Sequence, residues 1–243
     1  MHRFYTEERI AAAGQLITLS REESQHAARV LRLRPGEEVR LLDGGALWAA
    51  TLETVDEKAA QVRVTAECPS PESKTHVTLW QGLPKADKLE WIVQKATELG
   101  AWELWPVEME RSVARAGKAE RGQKRCERLE RIALEAAKQS GRGRIPQVRE
   151  MMDLRPALEE MAARPGAMLF YERSTAPMRE VLDRIEGEAS LLIGAEGGFD
   201  ESEVELALSM GIPSLTLGPR ILRCETAPMA ALSVLMYHTG NMN

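Results

Sequence analysis

Two hydrophobic rhythms run along this chain, and they change over near residue 70. Up to about residue 67 apolar and polar positions alternate in short runs: EVRLLD (38–43), ALWAATLE (46–53) and AAQVRVTAE (59–67), with Gly44-Gly45 between the first two. Period-two alternation around a Gly-Gly turn reads as a hairpin in a small β-rich domain. Ahead of it, SREESQHAARVLRL predicts a helix N-capped by Ser20, with Glu23 at the capping-box position and an end near Arg34-Pro35-Gly36. The segment ECPSPESKT (67–75) interrupts every period with prolines and hydroxyls. It is the linker expected between a domain of residues 1–72 and a domain of residues 73–243.

Beyond Thr75 strands and helices alternate. HVTLWQGL (76–83) is strand-like, and DKLEWIVQKATELGA places Leu89, Ile92, Val93, Ala96 and Leu99 on one helical face, with Gly100 at its C-terminal end. ELWPV (103–107) predicts a second strand, and a long basic helix follows from about Glu120 to Ser140, with Leu129, Ile132, Ala133 and Ala136 inward. AMLFY (167–171), SLLIG (190–194) and SLTLG (214–218) are almost wholly apolar, and each precedes a helical stretch. Strands buried on both faces have this composition, so residues 73–243 are expected to form an α/β domain with a mainly parallel sheet. The tryptophans at 48, 80, 91, 102 and 105 fall within strands or on helix faces, which assigns them to the core.

Composition sharpens this picture in one place. With 243 residues, 44% hydrophobic and 28% charged, the chain has the make-up of a globular protein. No run of about eighteen apolar residues could span a bilayer, and MHRFYTEERI lacks the apolar core of a secretory signal, so no membrane partner and a cytoplasmic location are expected. Three scattered cysteines and four histidines offer neither a disulfide framework nor a metal cluster. The net charge of −5 conceals an asymmetry: residues 111–149 carry 12 Lys and Arg against 4 Asp and Glu, whereas every other part of the chain is acidic. A local excess of this kind either recruits a polyanion such as RNA or decorates a solvated helix.

In open α/β sheets ligands bind beyond the carboxyl ends of the strands, which directs attention to the residues leaving the three apolar runs. The first exits into Tyr171-Glu172-Arg173, the second into Gly194-Ala195-Glu196-Gly197-Gly198-Phe199 and the third into Gly218-Pro219-Arg220-Ile221-Leu222-Arg223-Cys224-Glu225-Thr226-Ala227. Glycines at 194, 197 and 198 let backbone approach a ligand closely, or simply make a tight turn before the next helix. Neither GxGxxG after a strand, nor GxxxxGK[ST], nor GxSxG is present, so the dinucleotide, P-loop and nucleophile-elbow readings have no support. What remains is a backbone-lined pocket equipped with Glu172, Glu196, Arg220, Arg223 and Glu225.

IGAEGGF (193–199), LGPRILRCETA (217–227), EAAKQSGRGRIP (135–146), WIVQKATELG (91–100) and HRF with ESQHAARVLRLRPGEEV (23–39) together resemble the uridine-N3 methyltransferases of small-subunit (16S) ribosomal RNA, in the SPOUT superfamily. The resemblance runs collinearly over essentially the whole chain. One departure is Ala195, where the family usually has proline. The resemblance implies an N-terminal PUA-like barrel that holds RNA, a C-terminal α/β domain closed by a trefoil knot around S-adenosylmethionine, and a homodimer. It assigns the cofactor to Tyr171 and Glu172, to Ile193, Gly194, Ala195, Glu196, Gly197 and Gly198, and to Leu217, Gly218, Arg220, Ile221, Leu222, Arg223, Glu225, Thr226 and Ala227.

Methyl transfer from a sulfonium is mostly alignment, but N3 of uracil must lose its proton before or during attack. Glu225 or Glu196 is the expected proton acceptor, and Arg223 or Arg220 the expected partner for charge developing on the uracil oxygens. The competing assignments are a helix-terminal charge for Glu225 and a structural ion pair for Arg223. For RNA the candidates are Arg3, His26, Arg29 and Arg32 in the first domain and Arg111, Arg115, Lys118, Gln139, Arg142 and Arg144 in the basic segment. Two other functions share these features: a SPOUT enzyme acting on another base or a ribose 2′-oxygen, and a non-catalytic RNA-binding assembly factor. The intact glycine loop and ILRCETA run speak against the latter.

Overall fold

A computed structural model of the chain describes residues 1–85, 87–112 and 119–242, without the side chains of 119–122. It divides into two compact units, 1–72 with 137–145 and 73–136 with 146–243. The short segment 137–145 thus departs from a simple division at residue 72.

The first unit holds β1 (Arg3–Tyr5), β2 (Leu16–Thr18), α1 (Arg21–Gln25), β3 (Glu38–Leu42), β4 (Leu47–Thr54) and β5 (Gln61–Cys68). They form one sheet in the order β1-β3-β4-β5-β2, antiparallel except for the β1–β3 pair. At the β3–β4 turn Asp43 accepts from the backbone N–H groups of Gly45 and Ala46 and from Trp48 Nε1, and Gly44, lacking a Cβ, takes the φ of +85° that the turn uses. Alternate residues face a core of Phe4, Ile17, Leu41, Leu52 and Val62, each essentially inaccessible. Burying one such side chain contributes about 1.5–3 kcal/mol.

Ser20 caps α1 as expected, accepting from Glu23 N–H at 3.2 Å. The helix then departs from expectation: it widens into a π-helical turn, His26–Val30, and stops well short of Arg34. Arg32 takes φ +53°, a left-handed conformation that no helix continues through. Glu23 does not complete a capping box, because its carboxylate turns inward to Lys138 Nζ at 2.7 Å.

The second unit holds β6 (His76–Gly82), α2 (Lys88–Glu98), β7 (Glu103–Glu108), most of α3 (Ala119–Ser140), β8 (Gln147–Val148), β9 (Met152–Asp153), α4 (Leu154–Ala162), β10 (Ala167–Phe170), α5 (Arg179–Leu182), β11 (Glu188–Ile193), α6 (Glu201–Ser209), β12 (Ser214–Leu215) and α7 (Thr226–His238). The sheet runs β12-β10-β11-β6-β7-β8 with β9 also on β7, and every pairing is parallel. The strands read as buried runs are so: Leu79, Trp80, Leu169, Leu191 and Leu192 are fully buried. Within the run 214–218 the strand covers only Ser214–Leu215, and the loop that follows, through Gly218 at φ +109°, leads to α7. Trp91 also departs from its expected core position, being 43% exposed on α2. Cys68, Cys126 and Cys224 are free thiols.

Candidate active site

The parallel sheet brings the carboxyl ends of β10, β11 and β12 together with that of β6. From β6 the chain steps to β7 and β8 on one side, while β11, β10 and β12 lie on the other, so the strand order reverses at the β6–β11 pair. Crevices at such reversals are where open α/β sheets bind ligands. Here the crevice is a cavity of ≈ 360 Å³, within the small-molecule range of about 300–1,000 Å³.

Close backbone packing builds its wall. A Cβ on Gly82, at the end of β6, would lie 2.5 Å from Ala195 N and 2.9 Å from Gly194 C, so only glycine lets the 194–198 loop sit against β6. Gln81, 1% exposed, donates to Gly194 O at 3.3 Å. Gly198, at φ +67°, leaves 3.2 Å between a would-be Cβ and Glu172 Oε1, and a Cβ on Gly197 would meet Arg111 Cβ at 2.8 Å. Arg111 braces the same loop, donating to Gly197 O and pairing with Asp200 at 3.0 Å. Asp200 caps α6 in a full capping box with Glu203, which also accepts from Glu110 N–H at 2.9 Å.

The cavity's charge is organised by a residue the sequence reading did not single out. Lys88 Nζ lies 3.3 Å from Glu196 Oε1, 3.1 Å from Glu225 Oε2 and 4.0 Å from Cys224 Sγ. Glu196 also accepts from Lys85 N–H at 3.0 Å. Burial works against the Glu196 charge, but the Lys85 and Glu196 backbone N–H groups and Lys88 outweigh it and hold the carboxyl below its usual range. The Cys224 thiol, backbone N–H and Lys88 lower Glu225 despite some burial. Burial, the hydrogen bond to Glu225 and nearby Glu196 push the Cys224 thiol up to about 12, so it stays protonated. The Glu225 hydrogen bond, with help from Glu196, raises Lys88 against desolvation, so the ammonium persists.

Of the residues assigned to the cofactor, all line this cavity except Glu225 and Thr226; Glu225 reaches it through Lys88. Phe170, Phe199, Thr216 and Cys224 also line it, with Lys88. Lys88 had one legible signal: a cation in the first turn of a helix opposes the macrodipole and calls for nearby carboxylates. Arg220 and Arg223 are exposed at the rim, and neither takes part in an ion pair among the described residues. Glu225 occupies the N-cap position of α7 without capping it by its side chain.

The RNA candidates separate into distinct environments. Arg29 is exposed and pairs with Glu57. Arg32 and Gln139 are exposed, while His26 is half-buried with its ring edge-on to Phe4. Arg3 is half-buried, and its guanidinium occupies the space a Cβ on Gly141 would need, 2.4 Å from Arg3 Cζ. Arg115 and Lys118 lie outside the described residues. Arg142 requires a correction: it is 5% exposed, and its Nη2 donates to Glu72 Oε2 at 2.6 Å, so its charge is spent on an internal carboxylate rather than offered to a phosphate. Glu72 also accepts from Arg144 N–H, and Tyr5 Oη donates to Arg142 O at 2.9 Å.

Comparison with known proteins adds to this geometry. Residues 71–236 match the model of an RNA methyltransferase domain, and residues 19–65 that of an RNA methyltransferase PUA domain. The chain is 34% identical to ribosomal RNA small subunit methyltransferase E of Bacillus subtilis, covering 91% of this chain and 90% of that protein. It is 32% identical to the Aquifex aeolicus protein of the same name, over 97% and 99% of the two chains. Among solved structures, the ribosomal RNA small subunit methyltransferase E of Neisseria gonorrhoeae bound to S-adenosyl methionine superposes with a TM-score of 0.89 at 32% identity, covering 98% and 97%. A Legionella pneumophila protein in complex with SAM superposes with a TM-score of 0.84 at 33% identity, covering 97% and 96%.

Proposed function

The chain belongs to the family of ribosomal RNA small subunit methyltransferase E, and from that premise we propose that it transfers a methyl group from S-adenosylmethionine to N3 of a uridine in 16S ribosomal RNA. The observation that carries the reading is the glycine-walled cavity at the strand-order reversal. Its residues fit the cofactor: glycines at 194, 197 and 198 leave backbone groups as the wall, Glu172 supplies a carboxylate for hydroxyl or ammonium groups, and Ile193, Leu217 and Leu222 give apolar surface for a planar ring. Residues 1–72 serve as the RNA-holding domain and 73–243 as the catalytic one.

Bound there, the cofactor supplies a methyl group already activated on a sulfonium. Everything else falls to the chain. Arg223, exposed at the rim, steadies the charge that develops on a uracil carbonyl oxygen as N3 loses its proton. Glu225 or Glu196 receives that proton. Because the Lys85 and Glu196 N–H groups at Glu196, the Cys224 thiol at Glu225, and Lys88 at both keep the carboxylates ionised and weaken them as bases, stabilising the anion carries more of the step than abstracting the proton.

A homodimer belongs to this reading. Trp91 on α2 is 43% exposed and Val234 and Tyr237 on α7 are 45% and 70% exposed, and these two helices pack together, which supports a contact with a second copy at this helix pair. Among the described residues no helix is long and apolar enough to cross a membrane. A ribosomal RNA substrate carries a cytoplasmic location with it. The test is to map modified uridines in ribosomal RNA from cells lacking the protein: the reading expects one N3-methyluridine to disappear from the small subunit and to return on complementation. An unchanged modification map would reject it.

A further inference from the structure

We infer that Lys88 is a positioning residue that pins the two cavity loops together by neutralising a carboxylate on each, and that cofactor affinity depends on this neutralisation. The inference rests on the cavity being the S-adenosylmethionine site. Three separately encoded pieces meet at one nitrogen: Lys88 opens α2, Glu196 lies in the loop after β11, and Glu225 precedes α7 at the end of the loop after β12. Among the described residues neither carboxylate has another side-chain cation; the remaining partners are the Lys85 and Glu196 backbone N–H groups for Glu196, and the Cys224 thiol and its own backbone N–H for Glu225. Glu172, Arg220 and Arg223 line the same cavity without joining the cluster.

The site spends one ammonium on two like charges held at a single point. Remove the ammonium, and the carboxylates repel each other across the gap between the loops. The loops then separate, or one carboxyl takes up a proton. Either way the arrangement that lines the cavity becomes a minor fraction of the molecules, and apparent affinity falls in proportion to that fraction. A lysine stem that merely fills space would leave no such charge signature.

Lys88→Met keeps the length and apolar stem but removes the charge. By calorimetry on the full chain, S-adenosylmethionine affinity is expected to fall about tenfold or more, as it must if the pinned arrangement drops to roughly a tenth of the molecules. Adding Glu225→Gln to Lys88→Met removes one of the two repelling charges and is expected to restore most of the loss. Lys88→Arg, which retains the charge, is expected to bind within a few-fold of the natural chain. Affinity of Lys88→Met should also improve as pH falls into the carboxylate range, while that of the natural chain does not. Near-ultraviolet circular dichroism checks that each variant is folded; should Lys88→Met not fold, Lys88→Gln with and without Glu225→Gln carries the same comparison.

Natural affinity in Lys88→Met would overturn the inference, and so would a loss that Glu225→Gln fails to restore. Failure of the natural chain to bind S-adenosylmethionine is a different result, which rejects the proposed cofactor site itself.

Discussion

The Arg142–Glu72 pair and the Lys88–Glu196–Glu225 cluster are made from the same kinds of charge, but water reaches them differently. The side chains of Arg142 and Glu72 are 6% and 9% exposed, whereas those of Lys88, Glu196 and Glu225 are 33%, 24% and 23% exposed. Among the described residues, Glu72 also takes Arg144 N–H, and the Arg142 carbonyl takes the Tyr5 hydroxyl. Burial, and then Glu72, raises the Tyr5 hydroxyl far above its ordinary range, so it stays protonated and donates. The other cluster opens into a cavity where a ligand can meet it. The basic stretch made Arg142 a candidate RNA contact and left Lys88 unremarked, whereas the exposures set the two apart: the first is shut inside its unit and the second faces the cavity.

The largest expected effect falls on the buried pair. Arg142→Ala strands the Glu72 carboxylate, so unfolding in urea should show a loss of about 3–5 kcal/mol. S-adenosylmethionine affinity of the molecules that remain folded should not change. A natural urea midpoint would break the comparison, because it would mean that burial does not set the role of this pair.

Arg223→Ala probes the opposite case. Turnover is expected to fall roughly a hundredfold, as when one donor to a developing anion is lost, with the urea midpoint and RNA binding nearly unchanged. Arg223→Lys should regain only part of the rate, since an ammonium lacks the planar fork. A drop in stability equal to the drop in rate would return Arg223 to the structural class.

Gly82→Ala sharpens the comparison from the backbone side. The added methyl carbon would sit 2.5 Å from Ala195 N, so the 194–198 loop must move. Cofactor affinity should fall on the order of tenfold, with a stability loss of about 1–3 kcal/mol from overpacking. Unchanged calorimetric affinity would show that this close approach does not shape the cavity.

The smallest effect is chemical. Because Cys224 is pushed up to about 12, its reaction with iodoacetamide at mild alkaline pH should be slower than that of half-buried Cys68. The raised value also fixes a sign: the stability this thiol contributes is present below its ordinary 9.0 and is lost as pH rises through about 12. Faster labelling of Cys224 than of Cys68 in the folded chain would contradict its closed environment.

How much could be read in advance depends on the distance over which a residue acts. The glycine loop at 194–198 was legible because its signal is local, an apolar strand running straight into glycines. The parallel sheet was legible for the same reason, from runs such as SLLIG whose side chains are buried on both faces. Gly82 was not, since its neighbours at 194 and 195 arrive only when β6 and β11 pair. Arg142 stood in a basic stretch that looked solvated, and its partner Glu72 belongs to the linker before β6. The π-helical turn at 26–30 has no sequence period of its own, so the helical pattern of the sequence runs past the true end of the helix.

The most direct test of the account is to incubate the purified chain with small-subunit ribosomal RNA and methyl-labelled S-adenosylmethionine, then digest the RNA to nucleosides. Label is expected in N3-methyluridine alone, at one position, with Arg223→Ala about a hundredfold slower under the same conditions. Label in a 2′-O-methylated nucleoside or in another base, or no incorporation by the natural chain, would contradict it.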